Sequence, residues 1–219
     1  VRSSASPDTG PEETNRERAV RIAIERAAER LAMADMEIRA RLLELPNPTP
    51  DGELRVEAFG RDVLLAPPYT GAVYADSGVA ADPVDHLLVL HYLLYEGSVD
   101  TEGDPVSFRE LPGGQFYWEA FRARTVLPLI SSVGNRLEAL REQLGRFDCG
   151  PSPVGDIGAR VRCIGKLGVS LAYHAGDDEF PPSAELFFDA AVRRVFTTED
   201  AAAMAQRLCA LLIEGSYGA

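Results

Sequence analysis

An α+β fold, with a mostly antiparallel sheet of short strands packed with about five helices, is predicted by three features of this chain. Apolar–polar alternation recurs in short runs, as at Leu54, Val56 and Ala58 ahead of Gly60. Segments dense in Ala, Arg, Glu and Leu start on capping residues and read as helices. Strand-like runs neighbour other strand-like runs instead of alternating with helices, which argues against a doubly wound parallel sheet.

Residues 1–12, rich in Ser, Pro, Asp and Gly, read as a disordered tail. Residues 13–45 read as one long N-terminal helix, ahead of a single α+β domain over 46–219. Val20, Ile24, Ala27, Leu31, Ala34 and Ile38 form a single apolar seam on that helix. The seam packs either on the domain or, as a homo-oligomer or protein contact through residues 14–45, on a partner helix.

Pro46–Gly52 ends the helix, and Glu53–Phe59 and Arg61–Ala66 form a hairpin about Gly60. A short strand follows at Ala72–Tyr74. Asp82–Glu96 is a helix with Asp82 as N-cap and Pro83 as first residue, and its stretch Leu87–Leu94 is apolar on nearly every side except at His91. Val106–Leu111 is a strand, and Pro112–Gly114 turns into the helix Gln115–Val126, which Pro128 breaks or restarts. Asn135–Leu144 is a further helix, followed by a loop over Phe147–Gly158. Ala159–Ile164, Leu167–His174 and Ala184–Phe188 are strands, and Glu199–Ile213 is the last helix, started by Thr197 and Thr198.

Composition narrows the function classes. The net charge of −12 repels phosphate backbones and anionic lipid, so neither nucleic acid nor a membrane surface is the expected partner. No apolar run is long enough to span a bilayer. Val1–Pro11 lacks the basic and apolar regions of a signal peptide, and the chain is read as cytoplasmic. Cys149, Cys163 and Cys209 are one thiolate short of an all-cysteine iron–sulfur cluster. Gly-x-Ser-x-Gly, His-Glu-x-x-His and the dinucleotide fingerprint are all absent, so no motif marks the chain as an enzyme.

Six blocks carry a resemblance: Leu88–Leu94, Ser107–Gly114, Gly155–Asp156, Gly176–Ala184, Leu186–Asp189 and Thr198–Asp200. In this order and spacing they resemble the domain-of-unknown-function family numbered 3786, from Glu12 to Ile213. The resemblance implies a protein of mostly anaerobic bacteria and archaea, in the neighbourhood of corrinoid, tetrapyrrole or one-carbon metabolism. It supplies no reaction and no site residue.

Four constellations are candidates, each with a plain structural alternative. Arg109 with Gly113 and Gly114 forms a strand–turn–helix corner that can receive an anion, or is only a tight turn with Arg109 paired to a carboxylate. His91 is an axial ligand for a haem or corrinoid metal, or a core histidine bonded to a neighbour. His174 with Asp177, Asp178 and Glu179 can hold a divalent metal for a hydrolase, or is a solvated acidic turn. Phe116, Tyr117, Trp118 and Phe121 line a pocket for a planar ligand, with Tyr92 adding a polar tip, or are core. The favoured expectation is a ligand-binding or accessory protein whose small-molecule ligand sits between His91 and the Arg109–Trp118 corner.

Overall fold

The computed structural model describes residues 14–214. The tail predicted over residues 1–12 lies outside them. Within them stands an 8-stranded sheet flanked by helices, in which every pairing is antiparallel.

The chain opens with helix α1 (Asn15–Leu31), started by a reciprocal capping box between Thr14 and Glu17. The single helix expected over 13–45 is instead two. Asp35 accepts hydrogen bonds from the backbone N–H groups of Glu37 and Ile38, and so starts α2 (Met36–Leu42). A carboxylate that takes those N–H groups ends one helix and begins the next. The α1 seam is spent internally: Ile24, Ala27 and Leu31 are buried in the core, whereas Ile38 is exposed.

Strands β1 (Leu54–Ala58) and β2 (Arg61–Leu65) pair with Val56 opposite Val63, and β3 (Ala72–Tyr74) extends this hairpin. Helix α3 (Pro83–Leu94) starts on Asp82, whose carboxylate accepts from the Val84 N–H. It packs between α1 and the sheet, touching β1 and the strand β6 introduced below. Of the strand expected over Val106–Leu111 only β4 (Val106–Ser107) forms, because Phe108–Glu110 closes into a 3-10 turn. Glu110 accepts from the Ser107 N–H and fixes that turn. Helices α4 (Gly114–Arg124), α5 (Val126–Val133) and α6 (Leu137–Leu144) follow. Pro128 falls in the first turn of α5, where its missing N–H costs nothing.

The loop expected over Phe147–Gly158 contains a strand, β5 (Cys149–Pro151), on the edge of β6 (Ile157–Ile164). Strands β7 (Leu167–His174) and β8 (Ser183–Phe188) complete the order β3-β2-β1-β6-β7-β8-β4. Gly165, in the turn from β6 to β7, has φ +54, and a Cβ there would lie 2.4 Å from the Tyr92 ring. Only glycine fits this close approach. One face of the sheet carries Val56, Val161, Leu171 and Leu186 into the core; the other presents Glu57, Arg160, Arg162 and Ser170. Helices α7 (Val192–Val195) and α8 (Thr198–Glu214) close the described chain, with α8 touching α3, α4 and α5.

Candidate functional site

The first turn of α8 is locked by a reciprocal cap. The Thr197 hydroxyl donates to Asp200 Oδ2 at 2.7 Å and accepts from the Asp200 N–H at 3.1 Å. The Thr197 N–H donates to the same carboxylate oxygen. Both residues therefore satisfy backbone groups that a helix start leaves unpaired.

The other oxygen of Asp200 meets α3. Asp200 Oδ1 lies 2.8 Å from His91 Nδ1. Asp200 is 8% exposed, while the His91 side chain keeps 28% of its surface. Burial pushes the Asp200 carboxyl up, but the His91 ring and the Thr197 donors outweigh it and hold the group below its ordinary range. An ionised Asp200 places the proton of a neutral His91 on Nδ1 and leaves the lone pair on Nε2. Nε2 has no partner among the described residues.

His91 lines a hollow of about 430 Å³ whose walls include Arg30, Leu94, Tyr95, Val195 and Thr197. On the far side of Thr197 a cleft of about 480 Å³ runs between α4 and α8, lined by Phe108, Tyr117, Phe121 and Arg124 among others. Thr197 borders both spaces. The single cavity expected between His91 and the 109–118 corner is therefore two neighbouring cavities, with the start of α8 between them.

The corner itself serves packing. Arg109 lies over the Trp118 ring, 4.4 Å from its centroid, and lines neither cavity. Gly113 is the N-cap of α4 with φ +74, and a Cβ on Gly114 would sit 1.9 Å from the Phe108 carbonyl oxygen. Gly114 N–H donates to Leu111 O and Phe116 N–H to Gly113 O, so these two amides of the corner close the turn. The Pro112 carbonyl accepts from the Thr198 hydroxyl, which docks the corner on α8. Phe108 and Phe121 stack at 4.0 Å in the core, Trp118 is partly buried beside them, and Tyr117 is 64% exposed at the rim of the larger cleft.

Tyr92 sits in the core. It is fully buried, and its hydroxyl accepts from the Lys166 N–H. The acidic turn has a local structural role. Asp177 Oδ1 accepts from the backbone of Glu179 and Phe180, while His174, Asp178 and Glu179 are exposed. The first carboxylate shapes the turn and the others point to water, so no shared donor set forms. Among the described residues no group of three or more His, Cys, Asp or Glu side chains is placed to hold a metal ion.

One network escaped the sequence reading. Asp85, 1% exposed, accepts from the Tyr74 hydroxyl at 2.6 Å and from Arg207 Nε at 2.9 Å. Burial raises its carboxyl, with Arg207 and Tyr74 opposing. In sequence Asp85 resembles an ordinary acid in the first turn of a helix, and nothing there points to a partner 122 residues away.

A model of the family described as "Domain of unknown function (DUF3786)" matches residues 35–211. The match begins at the N-cap of α2 and leaves α1 outside it. No curated protein and no solved structure matches the chain.

Proposed function

We propose, for a chain that belongs to the family of unknown function DUF3786, a role in holding a metal-centred macrocycle, haem or corrinoid, against His91. The observation that carries this reading is the His91–Asp200–Thr197 relay. A histidine that ligates a metal through one ring nitrogen characteristically donates the other to a carboxylate, which fixes the ring and raises its basicity. His91 has that support on Nδ1 and an unpartnered Nε2 beside a hollow.

The donor set narrows the guest. Among the described residues no group of three or more His, Cys, Asp or Glu side chains gathers at His91, so they do not complete a coordination sphere alone. A metal taken by His91 must bring its remaining ligands with it, as a macrocycle does. Leu94, Tyr95 and Val195 offer apolar contact to a flat ring, and Arg30 offers a cation to a ring carboxylate. When bound, the group would supply redox or group-carrier chemistry. The residues of this chain orient the ligand: Asp200 keeps the Nδ1 proton in place, and Thr197 keeps Asp200 in place.

A general-base role for the same relay has less support. Among the described residues the hydroxyls bordering the hollow are those of Tyr95 and Thr197, and the Thr197 proton is given to Asp200. Self-association through residues 14–45 has exposed Met33 and Ile38 to draw on, because the seam toward α3 is filled. Whether the chain works inside the cytoplasm is part of the proposal; no helix among the described residues is long and apolar enough to cross a membrane.

Titration of the purified protein with haemin and with cobalamin, followed by absorbance, tests the reading. A saturable band shift with one of them is expected, lost in His91→Ala and weakened by about 10–100-fold in Asp200→Asn. No shift with either, or a shift that His91→Ala leaves unchanged, overturns it.

A further inference from the structure

The cleft between α4 and α8 is distinct from the His91 hollow and has a different chemistry. Its floor is apolar: Phe108 and Phe121 are buried in the core, and Ala202 and Ala203 of α8 form the opposite wall. Thr125 adds no unmet polar group, since its hydroxyl donates to the Phe121 carbonyl. At about 480 Å³ the space falls in the range of small-molecule sites.

Two cations border this floor. Arg16 comes from the first turn of α1 and Arg124 from the last residue of α4. Neither is ion-paired among the described residues; Arg124 donates only to the Ala120 carbonyl. In a chain of net charge −12, two guanidinium groups without a salt bridge among the described residues border one apolar cleft. Among the described residues Glu199 is the single carboxylate on the same lining. Two positive charges against one negative leave a surplus of one, which suits a monoanion and disfavours a phosphate dianion.

We propose that this cleft binds a small monocarboxylic acid with an apolar body. The carboxylate is held by Arg16 and Arg124, in the planar pairing that guanidinium groups make. The body lies on Phe108, Phe121, Ala202 and Ala203. The site does not depend on the His91 reading, because the two spaces share only Thr197 and His91 does not border this one.

Calorimetric titration of the full chain at low salt, with octanoate and with octanamide as probes, tests the assignment. Octanoate is expected to bind saturably, one per chain, at least about tenfold tighter than the neutral amide, since one charge-assisted contact is worth about that factor. Arg124→Gln and Arg16→Gln each lower octanoate affinity by about tenfold and leave octanamide unchanged. Both arginines are exposed, so these variants keep the fold, which circular dichroism verifies. Ala203→Phe, which fills the cleft, removes binding of both probes. His91→Ala leaves octanoate binding intact, so failure of one site does not imply failure of the other. Equal affinity for octanoate and octanamide, absence of saturable binding, or indifference to both arginine substitutions overturns the proposal.

Discussion

His91 on α3 and Asp200 on α8 meet at 2.8 Å between Nδ1 and Oδ1. The same carboxylate caps α8 through Thr197, so one side chain both starts a helix and ties it to the central one. Asp200→Ala is therefore expected to lower stability at neutral pH by about 2 kcal/mol or more, the sum of a lost cap and a lost charged hydrogen bond. The pH dependence has a definite sign. The folded-state carboxyl is depressed, so its contribution is complete above the ordinary aspartate value of about 4 and is lost as pH falls through the folded value. Urea denaturation of both proteins at pH 7 and pH 3 should show a gap that narrows in acid. A gap that stays constant would mean Asp200 acts through packing alone.

Gly113 and Gly114 stand side by side but answer to different constraints. A Cβ on Gly113 meets nothing within 4 Å, yet its φ of +74 is one that only glycine adopts at ease. Gly113→Ala should cost about 1–2 kcal/mol. A Cβ on Gly114 would lie 1.9 Å from the Phe108 carbonyl oxygen, so the 3-10 turn must move to admit it. Gly114→Ala should cost more than its neighbour, about 3 kcal/mol or above, because the displaced atom is backbone beneath a stacked aromatic pair. Thermal melts of the two variants give the order directly. If Gly113→Ala proves the worse, backbone conformation and not the close approach governs this corner.

These two cases also mark what the residues disclose in one dimension. The hairpin about Gly60, the strands Ala159–Ile164 and Leu167–His174, the capped start of α3 at Asp82 and the antiparallel class were legible because each depends on neighbours in the chain. The break at Asp35 was hidden, since a carboxylate inside an Ala- and Arg-rich run reads as one more helical surface residue. Strand β5 was hidden because Cys149, Gly150 and Pro151 have no alternation to read, and only the β6 edge makes them a strand. At the site, His91 stood out by its apolar surroundings. Its partner did not, because Asp200 carries a sufficient local explanation as a helix cap. Arg109 misled by its position beside two glycines; the Trp118 ring claims it.

The three thiols differ sharply in reactivity. Cys149 is exposed at the sheet edge, while Cys163 and Cys209 are buried. Burial raises the Cys163 thiol strongly and pushes Cys209 up to about 12. A thiolate is the reactive form, so neither buried group presents one near neutral pH. Ellman titration of the native protein should therefore count one fast thiol, rising to three in denaturant. Two fast thiols in the native state would show that α8 or β6 opens readily.

Asp85 and Arg207 provide the sharpest stability test, because the carboxylate is almost wholly out of water. Arg207 Nε and Nη2 grip its two oxygens at 2.9 and 3.2 Å, and the Tyr74 hydroxyl takes a further position. Asp85→Ala leaves a part-buried guanidinium short of its main partner, and a loss of about 3–5 kcal/mol follows. Asp82, 3.4 Å from Arg207, compensates part of that, which favours the lower end. Replacing both partners with apolar residues, Asp85→Leu with Arg207→Met, should recover most of the loss, since the burial of both charges is then removed together. The pH sign is opposite to that of Asp200. Burial raises the Asp85 carboxyl, so its contribution is greatest below the ordinary value of about 4 and declines as pH rises through the raised one. Denaturation midpoints of the parent and of the double variant across pH 3 to 7 should diverge in that direction. A double variant as unstable as Asp85→Ala alone would place the importance of this network in shape, at the joint of β3, α3 and α8, and not in charge.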